Sequence, residues 1–239
     1  MSGARLKVEA YRFWTASQCN PAEYVSGGGV VDSTEERGAS PGAALPAGYR
    51  RRMSRASRMA LDVATGIPGA DTAGYMVFCS QHGEIARTVG ILLGMADDIE
   101  PSPTDFAMSV HNTSAGMFSI LSGSTKASTS ISAGEMSFIA GWLEAAAWLA
   151  SNPGEKVLLV MFDELLPEPY HEFVERPHSA YAAALLLSSV ERGIHLQPAR
   201  HDCRGPSPTA PGFLAWLATD APIMKCVVEG RPWQWVRDA

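Results

Sequence analysis

The pattern of apolar and polar positions is most informative between residues 126 and 164, where four elements follow one another. The β-branched residues of Lys126–Ala133 favour a strand, and Gly134 permits a sharp turn. The segment Glu135–Ala150 is apolar at nearly every position, which predicts a helix buried in a core or an interface. The unbroken apolar run Val157–Phe162 is typical of a strand covered on both faces. Together these elements predict a βαβ unit with a pair of parallel strands.

The rest of the chain predicts more strands and helices on both sides of this unit. Strands are expected at Leu6–Trp14, Ala73–Ser80, Phe106–Val110 and Ala180–Val190, and helices at Ser54–Thr65, Glu84–Met95, Asn112–Leu121 and Pro211–Thr219. The tail alternates around Trp233 and Trp235, which predicts an edge strand or a surface segment. Residues 26–45 are rich in Gly, Ser and Pro and predict a flexible surface loop. The order of elements predicts one α/β domain over residues 1–239, with a mainly parallel mixed sheet covered by helices.

Composition removes several classes of function. The 239 residues carry a formal charge of −6 at pH 7, so nucleic acid is not an expected partner. The four cysteines are widely spaced and predict no disulfide framework, which favours a reducing cytoplasm. The first residues lack the apolar core of a signal peptide. The longest apolar helix is shorter than the about 20 residues that a membrane span needs. No pattern indicates a cofactor.

Two segments, SVHNTSAGMFSI at 109–120 and STSISAGEMSFIAG at 128–141, resemble the N-terminal half of a β-ketoacyl synthase, which has a thiolase-like fold. The segments RRRMSRASRMAL at 50–61 and CSQHGEIARTVGIL at 79–92 resemble a shortened, divergent branch of that family. Members of this branch accompany full ketosynthases in aryl polyene and related pathways. In the family, a strand delivers a nucleophilic cysteine to the N-terminus of a buried helix, where the helix dipole lowers the thiol pKa.

The sequence departs from the family at the residue that carries the chemistry. Gly134 occupies the position of the cysteine and has no atom that could form an acyl thioester. The two histidines that the family draws from a second half are also missing. The resemblance therefore implies a chain-length-factor-like subunit with no catalytic residue of its own. Such a subunit pairs with a full-length β-ketoacyl-ACP synthase and shapes the pocket for the growing acyl chain.

The resemblance also implies where the partners bind. In the family, the nucleophile-bearing strands of the two subunits meet across the two-fold axis, which here corresponds to Lys126–Ala133. The expected interface or tunnel residues are His111, Asn112, Ser130, Ser132, Ala133 and Glu135. The basic run Arg50, Arg51, Arg52 and Arg55 is a candidate contact for an acidic acyl carrier protein, because opposite charges speed encounter.

Simpler interpretations stay open for each of these features. Gly134 is also an ordinary turn residue, Glu135 and Asn112 suit helix capping, and a basic run is usually a solvated helix face. Cys79-x-x-His82 and His201-x-Cys203 have the spacing of zinc ligands, but a zinc site needs all four to converge. The chain has no G-x-S-x-G motif of a hydrolase. An independent acyl-transferring or hydrolysing enzyme would need another nucleophile, such as Ser132 or Cys79, and a purely structural or carrier-docking module is the third alternative.

Overall fold

A computed structural model describes residues 4–16, 20–21, 40–173, 179–199 and 209–238. Within these residues, eight strands form one mixed sheet in the order β3-β2-β4-β5-β1-β6-β8-β7. The strands are β1 (Leu6–Thr15), β2 (Tyr75–Cys79), β3 (Ala127–Ile131), β4 (Lys156–Asp163), β5 (Tyr181–Ser189), β6 (Ile194–Pro198), β7 (Ile223–Val228) and β8 (Arg231–Arg237). The helices are α1 (Ala47–Arg50), α2 (Arg55–Thr65), α3 (Ile85–Ala96), α4 (Pro103–Ala107), α5 (Thr113–Ser122), α6 (Ser137–Ser151) and α7 (Ala210–Leu217), with 3₁₀ turns at Ala70–Thr72 and Tyr170–Phe173. The predicted α/β class and mixed sheet are confirmed.

The sheet carries a hydrophobic core on each face. On β4, Val157 and Leu159 pack with α6 and α7 in one core, while Leu158 and Val160 belong to the other, which contains α2 and α5. All four side chains are fully buried. Because both faces of this strand are covered, its sequence shows no polar alternation.

The parallel part of the sheet is smaller than the sequence predicts. β2 pairs in parallel with both β3 and β4, so β2 lies between the two strands of the predicted βαβ unit. The other five pairings, from β4–β5 through to β7–β8, are antiparallel. The expectation of a mainly parallel sheet is therefore wrong, because every pairing of β1 and of β5 to β8 in the described sheet is antiparallel.

Helix α6 is deeply buried on one side only. Phe138, Ile139, Trp142 and Leu149 are fully buried, and Phe138 and Trp142 pack against an aromatic cluster with Phe213 of α7 and Trp235 of β8. The opposite side exposes Leu143, which is 41% accessible. Residues of α7 and of the C-terminal strand β8 therefore complete the core around α6, the helix that the sequence predicts to be buried.

One predicted element has the wrong structure, and three elements, α1, β6 and β7, were not predicted. The expected strand Phe106–Val110 is instead the end of α4 and the turn after it. Ser102 accepts a hydrogen bond from the Asp105 amide (3.0 Å) and Pro103 occupies the first helical turn, which is a strong helix start. β6 is short and ends in Pro198, and in β7 the apolar Ile223 is exposed, so their patterns are weak. Residues 26–39 of the predicted loop 26–45 lie outside the described residues. Leu45, at the end of that predicted loop, is buried.

Candidate subunit interface

The turn between β3 and α6 is closed by its own hydrogen bonds. The amide of Met136 donates to the Ala133 carbonyl (2.9 Å), and the amide of Ser137 donates to the Gly134 carbonyl (3.1 Å). The Ser137 hydroxyl accepts from the Ala133 amide (3.0 Å) and donates to the Gly134 carbonyl (2.7 Å). The backbone groups that begin this helix are thus partly engaged within the turn, which limits their use for a bound oxyanion.

Gly134 is at the exposed tip of this turn and has a backbone φ of +54°. That left-handed conformation favours glycine over any residue with a Cβ atom. An added side chain would not clash with other residues, because the nearest atom, Oε1 of Glu229, lies 4.0 Å from the position of an added Cβ. Glu135 is exposed and lies before the first residue of α6, paired with Ala133 in an isolated bridge. The turn therefore presents backbone and one exposed carboxyl, and no nucleophile.

Two predicted site residues converge on the loop that follows β2. The Oγ atom of Ser132 donates to the Gln81 carbonyl (3.0 Å), and Nε2 of His111 lies 3.1 Å from the Ser80 carbonyl. The His111 ring also packs on Gly83, where an added Cβ would lie 2.7 Å from the ring. These contacts tie the loop 80–83 to both β3 and α5, so His111 and Ser132 hold the shape of this region.

The remaining predicted residues on this side lie apart from that loop. Asn112 is exposed at the start of α5 and its side chain makes no capping hydrogen bond, so the capping interpretation is wrong; only its carbonyl accepts from the Gly116 amide (3.0 Å). Ser130 is half-buried and its hydroxyl has no hydrogen-bond partner. Ser130 lies on β3, which is an edge strand of the sheet.

Asp163, at the end of β4, also binds the loop 80–83. One of its oxygens accepts from the Ser80 hydroxyl (2.8 Å) and from the amides of Gln81 (2.8 Å) and His82 (3.1 Å). Burial raises the pKa of Asp163 to about 7, although the three hydrogen bonds act in the opposite direction. This carboxyl was not among the predicted site residues. The sequence feature that could have identified it is an acidic residue at the end of a buried strand, at the edge where the parallel strands end.

A second buried carboxyl, Glu164, follows directly. Burial, and then the charge of Glu84, raise the pKa of Glu164 to about 7, while the guanidinium groups of Arg55 and Arg58 lower it. Glu84 is 4% accessible and accepts from the Ser57 hydroxyl (2.5 Å). Three acids therefore lie buried at the carboxyl end of the parallel strands, a region where side chains with shifted pKa values often mark function.

These shifts predict that stability falls as the pH rises. Because Asp163 and Glu164 hold their protons to about pH 7 when folded, and to about pH 4 when unfolded, the folded state binds more protons between these values. The stabilisation is complete below about pH 4 and is lost as the pH rises through 7. We expect the free energy of unfolding to fall by about 2 kcal/mol per pH unit from pH 5 to 7, because two carboxyls contribute. Urea unfolding at several pH values measures this slope, and Glu164→Gln should reduce it.

Glu155→Gln is the matched control, because exposed Glu155 directly precedes β4 whereas Glu164 directly follows it. A slope that Glu164→Gln leaves unchanged, or that both variants reduce equally, contradicts the assignment to the buried carboxyl.

Large apolar side chains are exposed along three consecutive helices, the last of which, α5, contacts β3. They lie on the consecutive elements α3 to α5 and the connections between them, and each is at least 47% accessible: Leu92, Leu93, Met95, Ile99, Phe106, Val110 and Ile120. Exposed apolar residues that are grouped in this way mark interaction sites more often than scattered ones do. An edge strand adds unpaired backbone groups that a second chain could bind. This combination gives the region the character of a subunit interface.

The basic run divides into two parts. Arg51 and Arg52 are exposed, and Arg50 donates to the Ala43 carbonyl (2.9 Å). Arg55, the first residue of α2, instead turns inward, with its guanidinium 6.0 Å from the centre of the Trp14 ring. Only the first part is therefore a solvated surface suited to an acidic partner.

The structure argues against two of the alternative chemistries. Cys79 is fully buried, and burial raises the pKa of its thiol, which opposes a nucleophilic role. No group of three potential metal ligands occurs among the described residues, which exclude His201 and Cys203. None of the helices in the described part of the chain has the length and apolarity required to span a bilayer.

A mixed sheet with helices on both faces and a strand–turn–helix at its edge are features of a thiolase-like fold. Residues 30–236 match the model of the beta-ketoacyl synthase N-terminal domain. The chain belongs to the beta-ketoacyl synthase family. A search of curated protein sequences found no match.

Solved structures extend this assignment. A chain of the complex of a ketosynthase (ApeO) with its chain length factor (ApeC) from Xenorhabdus doucetiae is 28% identical, with a TM-score of 0.82; the match covers 98% of this chain and 99% of that one. The ishigamide ketosynthase/chain length factor matches with 13% identity and a TM-score of 0.63, over 81% of this chain and 67% of that one. A beta-ketoacyl synthase from Burkholderia phymatum matches with 16% identity and a TM-score of 0.56, over 90% and 70%. The last two similarities concern the fold alone.

Proposed function

We propose that the chain is a non-catalytic, chain-length-factor-like subunit that pairs with a full-length β-ketoacyl-ACP synthase. The partner supplies the cysteine and the histidines, and this chain shapes the end of the pocket that holds the growing acyl chain. Its contribution to the rate comes from stabilising the partner and fixing the shape of the pocket. This function would place the chain in a pathway that builds acyl or polyene chains on a carrier protein.

The observation that carries this proposal is the edge strand β3 together with the exposed apolar residues of α3 to α5, of which α5 contacts β3. Leaving both uncovered in water is unfavourable, and a second subunit would cover both at once. Gly134 supports the non-catalytic part, because its exposed turn offers no side chain that could carry an acyl group. The Xenorhabdus doucetiae complex, whose matched chain has nearly the length of this one, supports the kind of partner.

Co-expression with a ketosynthase from the same genome tests the proposal. We expect the two chains to co-purify in equal amounts and to elute together in size-exclusion chromatography. Condensing activity should require both chains. A chain that stays a well-behaved monomer in the presence of each candidate ketosynthase contradicts the proposal.

An independent acyl-transferring enzyme is the alternative that the same material can test. Ser132 is exposed but donates its hydrogen bond to the Gln81 carbonyl, with no histidine bonded to it in the described structure. Incubating the purified chain with acyl thioesters and measuring its intact mass separates the two functions. A covalent acyl adduct on this chain alone favours the enzyme, and an unchanged mass favours the silent subunit.

The exposed arginines give the proposed complex a place for an acyl carrier protein. Replacing Arg51 and Arg52 together by glutamate should weaken carrier binding to the complex about tenfold at low salt, because it reverses the charge that attracts an acidic partner. Surface plasmon resonance at two salt concentrations measures the change. Lys225→Glu, at an exposed position on β7 at the other edge of the sheet, is the charge control. Equal losses in both variants would mean that these arginines do not form the carrier site.

A further inference from the structure

Helix α3 combines an almost wholly apolar sequence with almost no burial. Arg87 and Thr88 are the only polar residues of this helix, which the structure describes in full, and Val89 is its only buried residue. Three large side chains in its second half are more than half exposed: Leu92, Leu93 and Met95. A helix that is apolar on all sides is normally covered on all sides. The fold of this chain by itself therefore does not account for α3.

The first turn of α3 is nevertheless fixed by polar contacts. Glu84, directly before the helix, is 4% accessible and accepts from the Ser57 hydroxyl (2.5 Å). Nη1 of Arg87 donates to Asp105, and Nη2 donates to the Arg52 carbonyl (2.7 Å). Nε of Arg87 lies 3.9 Å from Oε2 of Glu84, within an ion pair. These contacts hold the beginning of α3 against α2 and α4.

The outer half of α3, residues 90–96, lacks the local features that stabilise a helix. All its residues are apolar, and Gly90 and Gly94 lie among them. Each glycine in a helix interior favours the unfolded chain about fivefold relative to alanine. The exposed acids Asp97 and Asp98 follow the helix, at the end where its dipole favours cations. Isolated helices shorter than about 15 residues are marginal in water even for favourable sequences. The outer half must therefore gain its stability from packing, which the described part of this chain hardly supplies.

We propose that the outer half of α3 becomes a stable helix only when the partner ketosynthase encloses it. The ketosynthase is the fitting occupant because α3 contacts α4, α4 leads into α5 and α5 contacts the edge strand β3. The outer half thus continues the surface that the proposed function gives to that partner.

A second copy of this chain fits less well, because both copies carry a formal charge of −6. Since the outer half is apolar on all its sides, the partner must offer an apolar trough rather than a flat patch. This inference rests on the proposed function, because it says how the pairing surface forms.

Hydrogen–deuterium exchange measured by mass spectrometry tests the proposal on the full chain, alone and in its complex with the ketosynthase. In the chain alone, the amides of residues 91–97 should exchange at close to the rate of an unstructured peptide, because few buried contacts oppose their opening. In the complex they should exchange at least about 100-fold more slowly. The amides of residues 138–149 in α6 are the internal reference, because that helix packs in the core of this chain. They should exchange slowly in both samples.

Gly90→Ala combined with Gly94→Ala should reduce the dependence of α3 on the partner. Both positions have room for a methyl group: an added Cβ meets nothing within 4 Å at Gly90, and at Gly94 it lies 3.8 Å from Cβ of Ile99. Exchange in the isolated chain should slow about tenfold, and pairing should tighten by about the same factor, because less ordering accompanies binding. Gly48→Ala is the matched control, at an exposed glycine of α1 where an added Cβ also meets nothing within 4 Å. It should change neither quantity.

Slow exchange of residues 91–97 in the chain alone, or fast exchange in the complex, would overturn the proposal. A double alanine variant that pairs no more tightly than the parent chain would also contradict it. A dimer of this chain alone that protects α3 would make a second copy the occupant and reject the ketosynthase. Size-exclusion chromatography of the same samples reports pairing separately. Co-elution with an unprotected α3 rejects this inference alone, whereas a chain that never pairs rejects the proposed function.

Discussion

A chain that carries proline in place of Ser128 is expected to lose its ketosynthase partner while keeping its own fold. The amide of Ser80 donates to the Ile131 carbonyl (3.1 Å), so Ile131 directs its backbone groups towards β2. Because backbone groups alternate along a strand, Ala127 and Thr129 also face β2, and Ser128 faces the free edge. Proline is tolerated on an edge strand where its missing amide would have pointed outwards. Ser128→Pro therefore removes a donor that only a second chain would use.

The expected loss is at least 100-fold in affinity, because the missing donor and the bulk of the ring both prevent strand pairing. Co-purification and size-exclusion chromatography measure it, and thermal unfolding of the isolated chain verifies the fold. Ser128→Ala, which keeps the amide, should pair like the parent chain. Thr129→Pro should instead damage the fold, since its amide belongs to the β2–β3 ladder. If Ser128→Pro still pairs at full strength, the partner does not bind along this edge.

The sequence predicts well those elements whose signals are local. Ser54 caps α2 as expected, accepting from the Ser57 amide (3.0 Å), and Gly134 turns the chain where the pattern requires it. The run Val157–Phe162 is buried on both faces, as its unbroken apolar character indicates. In each case the physical cause lies within a few residues of the feature, so no distant contact can change it.

The antiparallel half of the sheet depends on distant contacts and was missed for that reason. β1 pairs with β5, about 175 residues further along the chain, as in Leu6 with Ser189. No pattern within β1 reveals that partner. β6 and β7 gain their burial from α7 and from the aromatic cluster around Trp235. β6 alternates over only four residues, Ile194 to Gln197, and in β7 the apolar Ile223 occupies an exposed position, so neither pattern is strong.

The same distinction separates the predicted site from the buried acids Glu84, Asp163 and Glu164. Resemblance to a family points to the turn at Gly134 and to the strand before it, since these share a short motif. Glu84 and Glu164 come close only after β2 and β4 are assembled, and each alone is an ordinary charged residue in the sequence. The useful signal was the pair Asp163–Glu164 directly after a buried strand, because charged groups are rarely buried without a specific role.

Replacement of Asp163 by alanine should have the largest effect on stability, about 3 kcal/mol. The carboxyl accepts three hydrogen bonds, from Ser80 and from the amides of Gln81 and His82. Alanine would leave these donors without an acceptor in a site that is 2% accessible to water. The loop they hold also contacts His111 and Ser132. We therefore expect the variant to lose part of its affinity for the partner as well.

Urea unfolding at pH 7 measures the change, with Asp71→Ala as a control at an exposed position where less than about 0.5 kcal/mol is expected. Asp163→Asn separates hydrogen bonding from charge, because the amide oxygen still accepts while the side chain no longer titrates. It should lose less stability than alanine does. It should also flatten the fall in stability between pH 5 and 7, since burial holds the pKa of Asp163 near 7. An alanine variant as stable as the parent chain would mean that this carboxyl does not anchor the loop.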